Sequence, residues 1–194
     1  MSRAHVALGG NLGNPAERLN RVFAELDRLP HSHLVQASSL YRSAPVGHAD
    51  QPDFVNAVAL LETSLSPYAL MHELLELESR HGRVRSLVNG PRTLDLDLLL
   101  YDHREMQADH LTLPHPRMHL RRFVLAPLLE VDPDCVIPGH GRADLLLAGL
   151  DDQAEVHYLR PPALDTGFLA LCNLGRGMVP RERGAWPLPM PAAS

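Results

Sequence analysis

The chain has 194 residues, a formal net charge of −5, and 45% hydrophobic against 21% charged residues. That length is normally one domain, and the balance is ordinary for a globular chain with a packed core. An acidic chain makes a poor general nucleic-acid binder, no apolar run is long enough to span a bilayer, and no basic patch followed by an apolar stretch marks a secretory leader.

In chain order, Arg3–Leu8 reads as a short strand ending in Gly9-Gly10. Asn14-Pro15-Ala16-Glu17 is a helix start, with a capping Asn, Pro at the first helical position and Glu in the first turn. Leu19, Val22, Phe23, Leu26 and Leu29 then recur at helical spacing. Leu34–Ser43 and Phe54–Thr63 are strand-like, separated by the polar stretch Ala44–Asp53. Ser66-Pro67 opens a second helix, which carries Leu70, Leu74 and Leu77 and stops at Gly82; Thr93–Tyr101 is the next strand. The order strand, helix, strand, strand, helix, strand is that of an α+β, ferredoxin-like βαββαβ domain, an antiparallel sheet with helices packed on it and C-terminal additions. Pro116–Val131 is expected to hold one or two short helices interrupted at Pro127, and Arg142–Leu150 another. From Asp151 the pattern loosens and prolines accumulate, so residues 1–160 are expected to form the domain and 161–194 a weakly ordered extension.

The strongest local signal is Gly90-Pro91-Arg92-Thr93-Leu94-Asp95-Leu96-Asp97. On a strand, Asp95 and Asp97 share one face while Leu94, Leu96 and Leu98 share the other. Two adjacent carboxylates repel unless a cation lies between them, and hard oxygen donors at this spacing suit magnesium. A wet face of an exposed strand is the plain alternative, but Arg92 directly upstream favours a metal–phosphate site. The sequence contains no lysine, so its fixed side-chain cations are arginines, which excludes a P-loop lysine and a Schiff base. Arg80, Arg83, Arg85 and Arg92 flank one glycine-containing loop, where they could wrap a polyphosphate. His115, Arg117, His119, Arg121 and Arg122 form a further group able to contact phosphates. Gly9-Gly10-Asn11-Leu12-Gly13 lacks dinucleotide-turn spacing and is weak by itself. Two cysteines, Cys135 and Cys172, offer neither a disulfide framework nor zinc spacing, which fits a reducing cytoplasm.

Taken together, Ala7–Gly13, Ser38–Pro45, Asp50–Ala57, Glu78 with Gly82–Arg85, Gly90–Asp97 and Pro114–Phe123 resemble the 6-hydroxymethyl-7,8-dihydropterin pyrophosphokinases, across roughly Ala4 to Gly141. The resemblance implies a pterin site at Ser43, Ala44, Pro45, Val46, Gly47, Phe54, Asn56 and Phe123. In it, Asn56 meets the polar edge of the pterin, and Phe54 and Phe123 stack on its ring. It implies two magnesium ions on Asp95 and Asp97, triphosphate contacts from Arg83, Arg85, Arg92, His115 and Arg121, and Glu78 in the nucleotide region. Arg83 and Arg92 join the two aspartates as catalytic residues. The reaction moves the β,γ-pyrophosphoryl group of ATP onto the pterin hydroxymethyl oxygen, leaving AMP. The expected working unit is a monomer, with no nucleic-acid or membrane partner. The loop at Ser86–Asn89 is one residue shorter than in the bacterial form and lacks its usual aromatic. A non-catalytic pterin- or nucleotide-binding paralogue and a different metal-dependent phosphotransferase are the competing readings; the nucleotide product, AMP or ADP, separates them.

Overall fold

The structure, a computed structural model, describes residues 1–45, 50–83, 90–150 and 156–164. At its centre is β1 (Ser2–Gly10), which pairs antiparallel with β4 (Phe54–Thr63) on one side and β5 (Asp95–Tyr101) on the other. The stretch read as one strand, Leu34–Ser43, is two: β2 (Ser32–Ala37) pairs with the far half of β4, and β3 (Leu40–Ser43) with its near half. A last strand, β10 (Val156–Arg160), closes the edge against β3, giving the order β10-β3-β4-β1-β5. Between β5 and β10 lie two small hairpins, β6 (Met106–Ala108) with β7 (Leu111–Leu113) and β8 (Val136–Ile137) with β9 (Gly141–Arg142).

The helices form for the local reasons legible in the sequence. Asn14 caps α1 (Pro15–Leu26) by accepting the Glu17 N–H, and Ser66 caps α2 (Pro67–Arg80) by accepting that of Ala69. Each buries one stripe, Leu19, Val22, Phe23 and Leu26 in α1 and Leu70, Leu74 and Leu77 in α2. One sheet face, with Ala4, Val6 and Leu8 of β1 beside Ala57, Ala59 and Leu61 of β4, receives these helices. The opposite face, with Val58 and Leu60, is covered by α3 (Arg122–Val131) and α4 (Ala143–Ala148). Coverage on both faces explains why β4 is apolar almost throughout instead of alternating. Among the described residues no helix is long and apolar enough to cross a membrane. Cys135 is buried in the second core, and burial pushes its thiol up to about 12.

The α+β, ferredoxin-like reading agrees with this architecture, with two corrections besides the divided strand. Pro127 does not interrupt its helix: α3 runs through it, preceded by a separate 3-10 turn at Met118–Leu120. Proline removes its own N–H bond to the turn before and crowds the carbonyl there, but the buried run Val124, Leu125, Leu128 and Val131 holds the helix across that gap. β10, in the region where the pattern loosens, is a strand paired with β3 with a register shift between Tyr158 and Arg160; its side chains are mostly exposed, so it has no apolar alternation to read. Of the expected extension, 161–194, the structure describes only 161–164.

Candidate active site

The two acids stand where the strand period puts them. Leu94, Leu96 and Leu98 are buried, while Asp95 and Asp97 project from the other face into a cavity of about 380 Å³, in the usual range for small-ligand pockets. The sheet register supplies the rest of the floor. Tyr41, Asn56, Gly9 and Asp95 lie in one cross-strand row over β3, β4, β1 and β5. Gly9 is the gap in that row: a Cβ there would lie 3.4 Å from Asn56 Oδ1 and 4.0 Å from Asp95 Cβ. Asn56 is buried and donates through Nδ2 to the Ser43 hydroxyl at 2.9 Å, which turns its carbonyl oxygen over Gly9.

Asp95 is ringed by cations. Arg83 Nη1 lies 2.6 Å from Oδ1 and Arg92 Nε 2.9 Å from Oδ2. Arg92 also places its guanidinium over the Phe54 ring, 5.1 Å from the centroid. Glu78 is only 2% exposed; it contacts Arg83 Nη1 and accepts the Leu96 N–H at 2.6 Å. It therefore stands behind Arg83, fixing that arginine to the acidic strand, and does not line the cavity. Burial raises its pKa, with the Leu96 N–H and Arg83 opposing. Asp97 is likewise raised, chiefly by burial and then by the charge of Asp95.

His115 faces Asp97, with Nε2 3.9 Å from Oδ2. Its Nδ1 accepts the Arg117 N–H at 3.2 Å, so the neutral ring carries its proton on Nε2, toward the cavity. Burial lowers its pKa, Asp97 opposes that, and Arg121 and Arg117 reinforce it. Arg121 lies over the Phe123 ring at 5.5 Å, and both line the cavity.

A clamp that the sequence left unassigned holds these parts in place. Asn11, 3% exposed, accepts the Arg92 N–H through Oδ1 at 2.9 Å and donates through Nδ2 to Gln51 Oε1 (3.1 Å) and the Pro52 carbonyl (3.0 Å). Its own N–H donates to the Arg92 carbonyl at 3.0 Å. One side chain thus joins the end of β1 to the segments entering β4 and β5. Gly10 makes the approach possible, since a Cβ would sit 2.5 Å from the Thr93 carbonyl oxygen. The glycine-rich run is a backbone clamp.

Of the expected site residues, Ser43, Ala44, Phe54, Asn56, Arg92, Asp95, Asp97, Arg121 and Phe123 line one cavity, and Arg83 and His115 adjoin its acids. Pro45 follows Ala44 without lining it. Val46, Gly47, Arg85 and the short loop at Ser86–Asn89 lie outside the described residues. Arg117 and Arg122, from the basic run read as able to contact phosphates, also line the wall. Sequence reasoning passed over Gly9, Leu120 and Leu150 as parts of it; Leu150 reaches the site only because α4 folds back, with its carbonyl accepting from Arg122 Nη2 at 2.8 Å.

Among the described residues no cluster of three His, Cys, Asp or Glu side chains could form a metal cage. Two carboxylates without a third protein ligand suit a hard cation that completes its shell with phosphate oxygens and water, and do not suit structural zinc.

Comparison with known proteins places this arrangement. The family described as 7,8-dihydro-6-hydroxymethylpterin-pyrophosphokinase matches residues 5–133. A 2-amino-4-hydroxy-6-hydroxymethyldihydropteridine pyrophosphokinase of Haemophilus influenzae is 49% identical over 138 residues, 71% of this chain and 86% of that one. Its counterpart in Pseudomonas aeruginosa is 45% identical over 148 residues, 76% of this chain and 91% of that one. A crystal structure of Plasmodium falciparum HPPK-DHPS with pteroate has a similar fold, with a TM-score of 0.60 at 12% identity. That match covers 76% of this chain but 42% of the longer one, so this chain spans about two fifths of it. With the family model matched over residues 5–133 and relatives 49% and 45% identical, the chain belongs to the 7,8-dihydro-6-hydroxymethylpterin-pyrophosphokinase family.

Proposed function

We propose that this cavity carries out the family's reaction, passing the pyrophosphoryl group of ATP to the hydroxymethyl oxygen of 6-hydroxymethyl-7,8-dihydropterin in folate biosynthesis. The pterin hydroxymethyl oxygen bonds to the β-phosphorus and gives up its proton to solvent as the bond from that phosphorus to the α,β-bridging oxygen breaks, and AMP leaves with that oxygen. The observation that carries the reading is the row Asn56–Gly9–Asp95: a polar edge reader and an acid side by side, separated by a residue with no side chain.

In this reading Asn56 and Ser43 meet the polar edge of the pterin, with Phe54 and Phe123 against its ring, and Ala44, Pro45, Val46 and Gly47 continue the slot. Asp95 and Asp97 hold two magnesium ions, which when bound neutralise phosphate charge. Arg83, Arg85, Arg92, His115 and Arg121 hold the triphosphate, with Glu78 bracing Arg83. Most of the acceleration then comes from positioning and charge neutralisation. Arg83 and Arg92 both lie against Asp95, which places them where they would share the triphosphate charge with a cation held there. We take residues 1–160 as the catalytic domain, 161–194 as an extension, and the working unit as a cytoplasmic monomer without nucleic-acid or membrane partners.

Incubation with ATP, magnesium and the hydroxymethyl pterin, followed by product separation, tests the reaction. AMP and pterin diphosphate in equal amounts are expected; ADP, or no turnover by folded protein, would overturn it.

A further inference from the structure

Strand β3 is four residues long, yet it presents Ser43, the partner of Asn56, to the cavity. Just before it the chain leaves the sheet ladder at Ser38 and Ser39. Ser38 mends its part of the break within the sheet: its N–H donates to the Val58 carbonyl and its hydroxyl accepts the Val58 N–H, both at 2.9 Å. Ser39 turns instead to α3. Its N–H donates to Glu130 Oε2 at 2.8 Å and its hydroxyl to Oε1 at 2.6 Å. The Tyr41 hydroxyl donates to the same carboxylate at 3.0 Å, and Gln36 Nε2 to the Glu130 main-chain carbonyl at 3.3 Å. One residue is thus tied to both sides of the bend.

The choice of side chain follows from the donors. Three N–H and O–H groups converge, and a carboxylate is an acceptor on both oxygens. Ser39 is buried, so its N–H cannot turn to water instead. Glu130 lies seven residues beyond Phe123 on α3, two helical turns and the same face. That helix therefore holds two walls of the slot, Phe123 directly and the Ser43–Asn56 pair through the bend.

We infer that Glu130 is a positioning residue for the pterin half of the site, setting the spacing between Phe123 and the Ser43–Asn56 pair. It does not line the cavity and touches no substrate. The inference rests on the reading of those residues as the pterin slot.

The test measures pterin affinity, with a saturating non-hydrolysable ATP analogue and magnesium, and separately analogue affinity, in Glu130→Ala, Glu130→Gln and Asn56→Ala. Glu130→Ala is expected to weaken pterin about tenfold while analogue binding stays within about twofold. Glu130→Gln, which keeps the length and one acceptor, should fall between wild type and Ala, and in turnover the pterin KM should move more than kcat. Equal losses for both ligands, or a lower melting temperature with pterin affinity unchanged, would show a merely structural brace and overturn the inference. Should the Ala variant not fold, a pterin-selective loss in Glu130→Gln supports the inference by itself, and its absence refutes it. Asn56→Ala separates the two readings: if it leaves pterin affinity intact, the slot assignment fails and this inference with it. If it weakens pterin while the Glu130 variants do not, only this inference fails.

Discussion

Asp95 and Asp97 look equivalent in the sequence, but the protein treats them differently. Asp95 is held between Arg83 and Arg92, so Asp95→Ala leaves two partly buried guanidinium groups without their shared carboxylate. We expect it to cost about 2 kcal/mol of stability in denaturant melts and to cut turnover about a hundredfold or more. Asp97 is raised by burial and by its neighbour, which means the ionised form is tolerated rather than favoured in the folded chain. For an acid whose folded pKa lies above its unfolded value near 4, the unfolded chain gives up the proton first. Stability then falls as pH rises from about 4 through the folded pKa. Asp97→Asn should therefore raise metal-free stability at pH 7 and flatten its decline with pH while still abolishing turnover. Urea melts between pH 4 and 7 decide this; an Asn variant less stable than wild type at pH 7 contradicts it. The two adjacent glycines divide in the same way. Gly10→Ala drives a methyl group against the Thr93 carbonyl and should destabilise by about 1–3 kcal/mol. Gly9→Ala meets only ordinary contacts, so it should fold normally and instead weaken ligand binding roughly tenfold by raising the cavity floor. Parallel melts and titrations of the two variants would expose any exchange of these roles.

Among elements, the segments entering β4 and β5 depend on one side chain at the end of β1. Asn11→Ala removes the acceptor for the Arg92 N–H and the two donors to Gln51 and Pro52. A loss of about 1–3 kcal/mol is expected, together with weaker binding of both nucleotide and pterin, since Arg92 and Phe54 lie on the two segments released. Loss confined to one ligand would mean that the segments hold their positions independently. The bend between β2 and β3 and the passage of α3 through Pro127 share one lesson. Local propensity marks where an element is free to stop, but packing on the sheet decides whether it does. Serine at 38 and 39 gives no strong turn signal, and the ladder is broken there because Ser38 and Glu130 supply replacement bonds.

For the whole molecule, the sheet separates two jobs. One face, under α1 and α2, is apolar core; the other is core under α3 and α4 over part of its length and candidate active site where the acids stand. The described residues fall within one unit, Met1–Leu164, and the family match ends at residue 133. We expect a chain truncated after Leu164 to keep turnover within about twofold and its melting temperature within a few degrees. Calorimetry and the AMP assay on the truncated chain check this, and a large loss of activity would make residues 165–194 part of the enzyme.

Some of this was written along the chain itself. The helix caps at Asn14 and Ser66, the two-residue period that separates Asp95 and Asp97 from Leu94, Leu96 and Leu98, and the fold class all rest on interactions within a few residues, which spacing and residue type report directly. The motif run Gly90–Asp97 likewise marks, by residue type and spacing, the arginine and the two acids that line one cavity. The remainder depended on contacts between residues far apart in sequence. The row that sets Asn56 beside Asp95 exists because β1 pairs with both β4 and β5, Gly9 facing Asn56 on one side and Asp95 on the other, and no local pattern encodes a register between strands so far apart in sequence. Asn11 became a clamp, Glu78 a brace and Glu130 an anchor because folding brought donors to them across 81, 18 and 91 residues. In sequence each is an ordinary polar side chain, and only burial beside a particular partner, where an unpaired polar group is costly, gives it a definite task.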